Sequence, residues 1–493
     1  MSTRTSLWTW SRLSSRLALC LLLGAVMALS TSVAQEAHPL EGESIDMTIL
    51  GIGGWVPSSL GAEMANDLFK PFALEEYGYD VTFTFDAAPF AALFQRAAAS
   101  LATRSNEYNI IISDSQWLGA LSEPGWIVNV DEIIEEHPEL DIEWYSEIVG
   151  VGYQEYPMYS GIRWGFPQAG DVVVMFVRRD MLHDEAERAA FLEEYGRELP
   201  YDYEDFLEMS YGEFEDIAAF FTRPDEGLYG HAFQYSREYD FLSMWMYPFM
   251  FSLGGDIGDF EDENRVYGIL NSEVNARAME INRAWQQYMP PGAINFGIAE
   301  IIDLFTAGQV FSAQQWAAVG PAMIPEDLPE EFDVMVVPPP GLIQDDGSFN
   351  RLYNVGGQPW VINAFNTPEQ MRVAIDFMRW WYLPETQMEY ARRGGSPSDA
   401  ATLNHPDYED MKPWNRAFKF MLQDDNARDF YREPTYAQLL STQQEAWHAF
   451  ASGEIDDAMN TLEWIACEQQ KILFDSGASE IRPPAECRQV RLR

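Results

Sequence analysis

The residues able to carry chemistry in this chain are acids and tryptophans set beside turn residues. Gly53-Gly54-Trp55 follows an alternating apolar run, and Ser113-Asp114-Ser115-Gln116-Trp117 follows a continuous one. An indole face stacks on the C–H face of a polyhydroxylated ring, while short carboxylates and hydroxyls fix its O–H groups. Trp55, Ser113, Asp114 and Trp117 are therefore candidate ligand contacts. Trp55 has a plainer reading as packing, and the short polar groups at Ser113 and Asp114 as caps of the next helical turn. Nucleophile and phosphate signatures are missing, since no Gly-x-Ser-x-Gly, His-Glu-x-x-His or Gly-rich lysine loop occurs. Six histidines, scattered along the chain, offer little for acid–base or metal work. Asp256-Ile257-Gly258-Asp259-Phe260-Glu261-Asp262 has the oxygens for calcium but not the spacing of a known loop. No cofactor, metal site or catalytic residue is assigned.

Alternating β-type and helical patterns frame these groups. Ile45–Ile49 and Val81–Phe85 alternate like half-buried strands, whereas Asn109–Ile112, Val172–Val177 and Asp333–Val337 read as fully buried ones. Thr367-Pro368-Glu369-Gln370 carries an N-cap, a first-turn proline and a capping-box glutamine, so a helix starts there, with Met371, Ala374, Ile375, Met378 and Tyr382 on one face before Pro384. A second helix opens at Asn271, and a third runs from Ile298 to a stop at Gly308. The order predicts an α/β architecture with largely parallel sheets. Pro338-Pro339-Pro340-Gly341 is a loop and a candidate crossover between lobes.

The N-terminus has three arginines and no acid before an apolar run from Leu17 to Leu29, and small residues end at Ala34. This reads as a secretory signal peptide cleaved before Gln35. Cys20 follows the bulky Leu19, a poor lipoprotein processing site. Loss of the three arginines takes the formal charge from -47 to -50. Such a charge argues against nucleic acid and anionic membrane as partners, and reads most simply as a solvated acidic surface. Cys467 and Cys487 are the cysteines left in the mature chain, and in an oxidising compartment they read as a disulfide stapling the C-terminal tail. The remaining length suits two lobes rather than one core.

Further passages occur in a telling order. Gly165-Phe166-Pro167-Gln168-Ala169-Gly170-Asp171 precedes a buried strand that ends Arg178-Arg179-Asp180, and Leu199-Pro200-Tyr201 begins the next helical stretch. Tyr247-Pro248-Phe249 leads to Gly254-Gly255, and Phe305-Thr306-Ala307-Gly308 leads to Gln315-Trp316. Gly356-Gly357-Gln358-Pro359-Trp360, the Thr367 helix and Arg393-Gly394-Gly395-Ser396 close the series. The chain in this respect resembles the extracellular solute-binding proteins of sugar-type ABC importers, the family that includes maltose-binding protein. It departs from that pattern at Phe176-Val177-Arg178-Arg179-Asp180, where the family has a tyrosine and an asparagine.

The resemblance implies a type II periplasmic-binding-protein-like fold, two α/β lobes with a ligand cleft between them and crossover hinge strands. It divides the chain into a leader at 1–34, a first lobe of 35–163 and 352–385, a second lobe of 164–338 and 395–493, and crossovers at 339–351 and 386–394. It places Asp114 and Trp117 on the first lobe's rim and Asp171 near the hinge as a hydroxyl acceptor. Tyr239, Asp240 and Trp316 come from the second lobe, with Trp245 as a nearby substitute that reads first as a helix core position, and Gly357 and Gln358 from the later hinge passage. The implied protein is a periplasmic monomer, not an enzyme, that binds a sugar or polyol and delivers it to ABC permease subunits. Two alternatives remain: the same fold with a betaine or polyamine in a carboxylate and tryptophan cage, and a secreted hydrolase with two flanking acids.

Overall fold

The computed structural model describes residues 38–138, 156–329, 331–423, 426–428 and 431–492. The expected leader, 1–34, lies outside them. Among the described residues, eight strands make one continuous sheet. β1 (Ser44–Ile52) pairs in parallel with β2 (Asp80–Ala88) and with β3 (Ile110–Ile112). Helix α1 (Val56–Met64) links β1 towards β2, and α2 (Phe90–Ala102) links β2 to β3. Ile110, Ile111 and Ile112 are wholly buried, the pattern of a strand covered on both faces.

Two long strands join this half to the other. β4 (Phe166–Arg178) is buried along all but its last residue. From Phe166 to Val172 it pairs antiparallel with a later strand, and from Val173 onward with β5 (Ser312–Trp316) and β6 (Val334–Val337). That later strand, β7 (Tyr353–Ile362), continues to pair with β3 at Trp360–Ile362 and takes the short β8 (Ala427–Arg428) at its other end. β4 and β7 are thus common to both lobes, and each changes partners along its length. This corrects one expectation. Apart from the parallel pair of β7 with β8, the pairs made by the traversing strands are antiparallel, so the sheet is mixed rather than largely parallel. Within the segments expected as crossovers, Leu342–Ile343 pairs with Phe349–Asn350 in a hairpin, and 386–394 lies largely in helix Pro384–Arg392.

The second lobe packs α3 (Ser243–Ser252) between α4 (Glu273–Ala284) and β7. All ten residues of α3 are buried, as an all-round apolar sequence requires. α5 (Ile298–Thr306) precedes β5 and buries Ile301 and Phe305. On the first lobe α6 (Pro368–Trp381) begins with the expected capping box, in which Thr367 accepts from Gln370 and Gln370 from Thr367. Its buried face is wider than the expected stripe and sets Phe377, Trp380 and Trp381 against Phe69 and Trp360. After α7 (Pro384–Arg392), α8 (Tyr436–Ala451) packs on α9 (Ala458–Ser476), and Cys467 of α9 is disulfide-bonded to Cys487. No helix of the described residues is long and apolar enough to cross a membrane.

Candidate functional site

The carboxyl end of β3 runs into Ser113 and Asp114, where open α/β sheets bind ligands. Asp114 caps the short turn Ser115–Trp117: its Oδ1 accepts from the Gln116 backbone N–H at 3.0 Å. Its Oδ2 accepts from the Tyr239 hydroxyl at 3.3 Å, a bond that reaches the residues preceding α3. The Trp117 Nε1–H donates to the same Tyr239 oxygen at 2.7 Å. Next in sequence, Asp240 accepts from the Gln116 side-chain amide at 2.8 Å through Oδ2. Gln116 therefore bonds both carboxylates, one through its backbone and one through its side chain. Tyr239 and Gln116 together tie the end of β3 to the residues preceding α3.

The sheet supplies the floor. Trp316 ends β5 with its ring over Gly356 of β7, where a Cβ would stand 2.6 Å from the indole. Only glycine allows that approach. Gly357 has φ +120°, and a Cβ there would lie 2.3 Å from the Ala169 carbonyl oxygen. The register of β7 against β4 shifts between Gln358 and Pro359, a bulge at the point where both strands pass between lobes. Around this floor a cavity gives the centre of a water molecule about 40 Å³. Asp114, Asp240, Trp316, Gly357 and Gln358 all line it, together with Phe90, Ser115, Tyr156, Met244, Val355 and Gly356.

Burial sets the electrostatics. Asp114 is 5 % exposed, and desolvation raises its pKa to about 6 against the opposing hydrogen bonds from Gln116, Tyr239 and Ser115. Asp240 is pushed well above the usual carboxylate range, first by burial and then by the charge of Asp114. The Oε1 atoms of Gln358 and Gln116 are buried without a hydrogen-bond donor, which in a native interior marks a place where something else binds or water enters.

Five of the ten expected contacts are thus brought together on the cavity. The other five stand behind or beside it. Trp117 is fully buried between Phe90 and Phe94 and holds Tyr239 in place, so Tyr239 acts through its hydroxyl on Asp114. Ser113 is buried, with its hydroxyl on the Asp114 carbonyl. Trp55 is half-buried against the core at the start of α1. Asp171 does not line the cavity: its Oδ1 accepts the backbone N–H groups of Val172 and Ala318, both at 3.0 Å, and burial raises its pKa to about 8. It joins β4 to the turn after β5. Trp245 is a core residue whose ring meets Trp316 edge-on at 6.1 Å. Of the lining residues not anticipated, Ser115 and Gly356 lie inside the singled-out motifs, whereas Phe90, Tyr156 and Met244 carry no local signal. In the acidic segment at Asp256, Oδ1 accepts from Ile257 N–H and Oδ2 from Arg428, so that carboxylate is engaged within the protein.

The model of a family described as bacterial extracellular solute-binding protein matches residues 67–413. The chain belongs to that family. Solved structures of the same fold include maltose-bound MalE3 of T. maritima, 17 % identical with a TM-score of 0.69, over 87 % of this chain and 100 % of that one. An ABC transporter solute-binding protein from Agrobacterium radiobacter K84 in complex with ribitol is 19 % identical with a TM-score of 0.65, over 88 % of this chain and all of that one. Another, from Agrobacterium vitis S4 with bound D-mannitol, is 13 % identical at 0.65, over 88 % and 99 % of the two chains. No curated protein sequence matches the chain.

Proposed function

We propose that this protein is the exported solute-binding component of an ABC-type importer, a monomer that closes its two lobes on a small hydroxyl-rich solute and presents it to a membrane permease. The observation that carries the reading is the meeting of Asp114, Asp240, Trp316 and Gln358 in one cavity where β4 and β7 change partners. Strands shared by two lobes are natural hinges, and a ligand touching both lobes favours the closed form by its differential affinity. Carboxylate and amide acceptors take hydroxyl donors, and Trp316 supplies the stacking face. We take one sugar unit or a short polyol as the solute, the class of the ribitol and mannitol held by the relatives named above. We take the leader ending at Ala34 as the export signal, and binding rather than turnover as the activity.

A thermal-shift screen of the chain from Gln35 onward, against sugars, polyols, betaines, polyamines and amino acids, tests the proposal. A ligand at a hundred times its Kd adds about 2.7 kcal/mol, so a hit among the hydroxylated compounds supports it. Silence across that class, or release of reducing ends from oligosaccharides, overturns it.

A further inference from the structure

The cavity is rich in acceptors and poor in positive charge. Asp114 and Asp240, on opposite lobes, are 5 % and 7 % exposed and share Gln116 as a donor, at 3.0 and 2.8 Å. Neither lysine, arginine nor histidine is among the lining residues. Arg432, the cation that acts on Asp114, lies off the lining and donates to the Met158 carbonyl oxygen at 2.8 Å. Among the described residues, the other titratable groups facing the two acids are phenols: Tyr239 and Tyr436 beside both, with Tyr247 and Tyr431 beside Asp240. Gln358, 8 % exposed and on the cavity wall, keeps its Oε1 buried without a donor.

A neutral ligand meeting this wall leaves two buried carboxylates that share one amide donor with no cation on the cavity lining, an arrangement that favours keeping one of them protonated. An anion adds a third negative charge. We infer that the solute carries a protonated amine beside its hydroxyls, seated between Asp114 and Asp240 against the rings of Trp316 and Tyr156: a small polyhydroxylated amine, an amino sugar or amino polyol in chemical class. An ammonium brings three donors and no acceptor, which matches Gln358 Oε1 and the two carboxylates, and the ring faces add cation–π attraction. Hydroxyl contacts are shared with the function proposed above, on which this inference rests; the charge requirement is its own.

The test is calorimetry of the mature protein at pH 7.5 with three charge classes built on common skeletons: glucamine, glucosamine and mannosamine; glucitol, glucose and mannose; gluconate, glucuronate and mannonate. The amine of at least one skeleton should bind ten-fold or more tightly than its neutral counterpart, and the acids should not bind. Repeating the titration with glucamine, which is fully an ammonium at this pH, in buffers of different ionisation enthalpy should show proton release, and with glucitol little, because an ammonium seated between the two acids displaces a proton that they share. Asp240→Asn should shrink the amine preference to under three-fold, and Asp114→Asn repeats the experiment should the first variant fail to fold. Neutral or acidic members binding as tightly as the amines would overturn this inference and leave the proposed function standing. If none of the three classes binds, both fall.

Discussion

Replacing Tyr239 by phenylalanine isolates the contact that ties the lobes together. The hydroxyl accepts from Trp117 Nε1–H at 2.7 Å and donates to Asp114 Oδ2 at 3.3 Å. Its loss strands a wholly buried indole N–H and removes a donor from a buried carboxylate. Unpaired buried groups cost about 1–3 kcal/mol each, and two coupled ones sum to less than their separate values, so about 2–3 kcal/mol is expected. Opening the lobes returns both groups to water, so the loss falls on the closed form, and the closed-to-open ratio drops roughly 30- to 150-fold. Spin labels on the two lobes, read as a distance distribution without ligand, should shift towards the long distance. The Kd of any ligand found in the screen should rise by a comparable factor. An unchanged distribution and Kd, with only a lowered Tm, would refute the cross-lobe role and assign the hydroxyl to core packing.

Four further outcomes follow from particular residues. Trp316→Ala should weaken ligand binding by about 1.5 kcal/mol or more through loss of the stacking face, checked by calorimetry. Gly357→Ala should lower stability by about 2–4 kcal/mol in urea titration, since φ of +120° and a Cβ 2.3 Å from the Ala169 carbonyl oxygen cannot both be relieved. For Asp171, a folded pKa of about 8, above its value of 3.8 in the absence of burial, means that the folded state holds the extra proton. The stability this contributes is complete below about pH 4 and is lost as pH climbs to about 8, so Asp171→Asn should flatten the fall in stability between pH 5 and 8 in denaturant melts. Replacing Cys467 and Cys487 together by serine opens a loop of 20 residues in sequence separation and should cost up to about 3 kcal/mol, with faster proteolysis beyond Gly477.

Local patterns settled much of this protein. The alternation at Ile45–Ile49 and Val81–Phe85 marked β1 and β2, and the continuous run Val172–Val177 marked the buried part of β4, because side-chain period and burial are written along one strand. The Thr367 capping box was legible because all its atoms lie within one turn. Asp114 stood out for the same reason, as a short polar residue at a strand end, whereas Gly357, in the middle of β7, was singled out only by the family resemblance.

What the tertiary structure decided was partnership. Nothing local to Gln116 says that its amide meets Asp240, 124 residues away, or that Trp117 sits behind the cavity wall rather than on it. Asp171 reads as a free acceptor until the backbone N–H of Ala318 arrives from the turn after β5. The traversing strands are legible as buried, but not as antiparallel or shared, because a strand's own pattern records which faces are covered and not which edges are paired. The charge of the site belongs to this second class too: in a chain with 78 acids, only burial together distinguishes Asp114 and Asp240 from the rest, since removing a carboxylate from water is what makes its partner's charge matter.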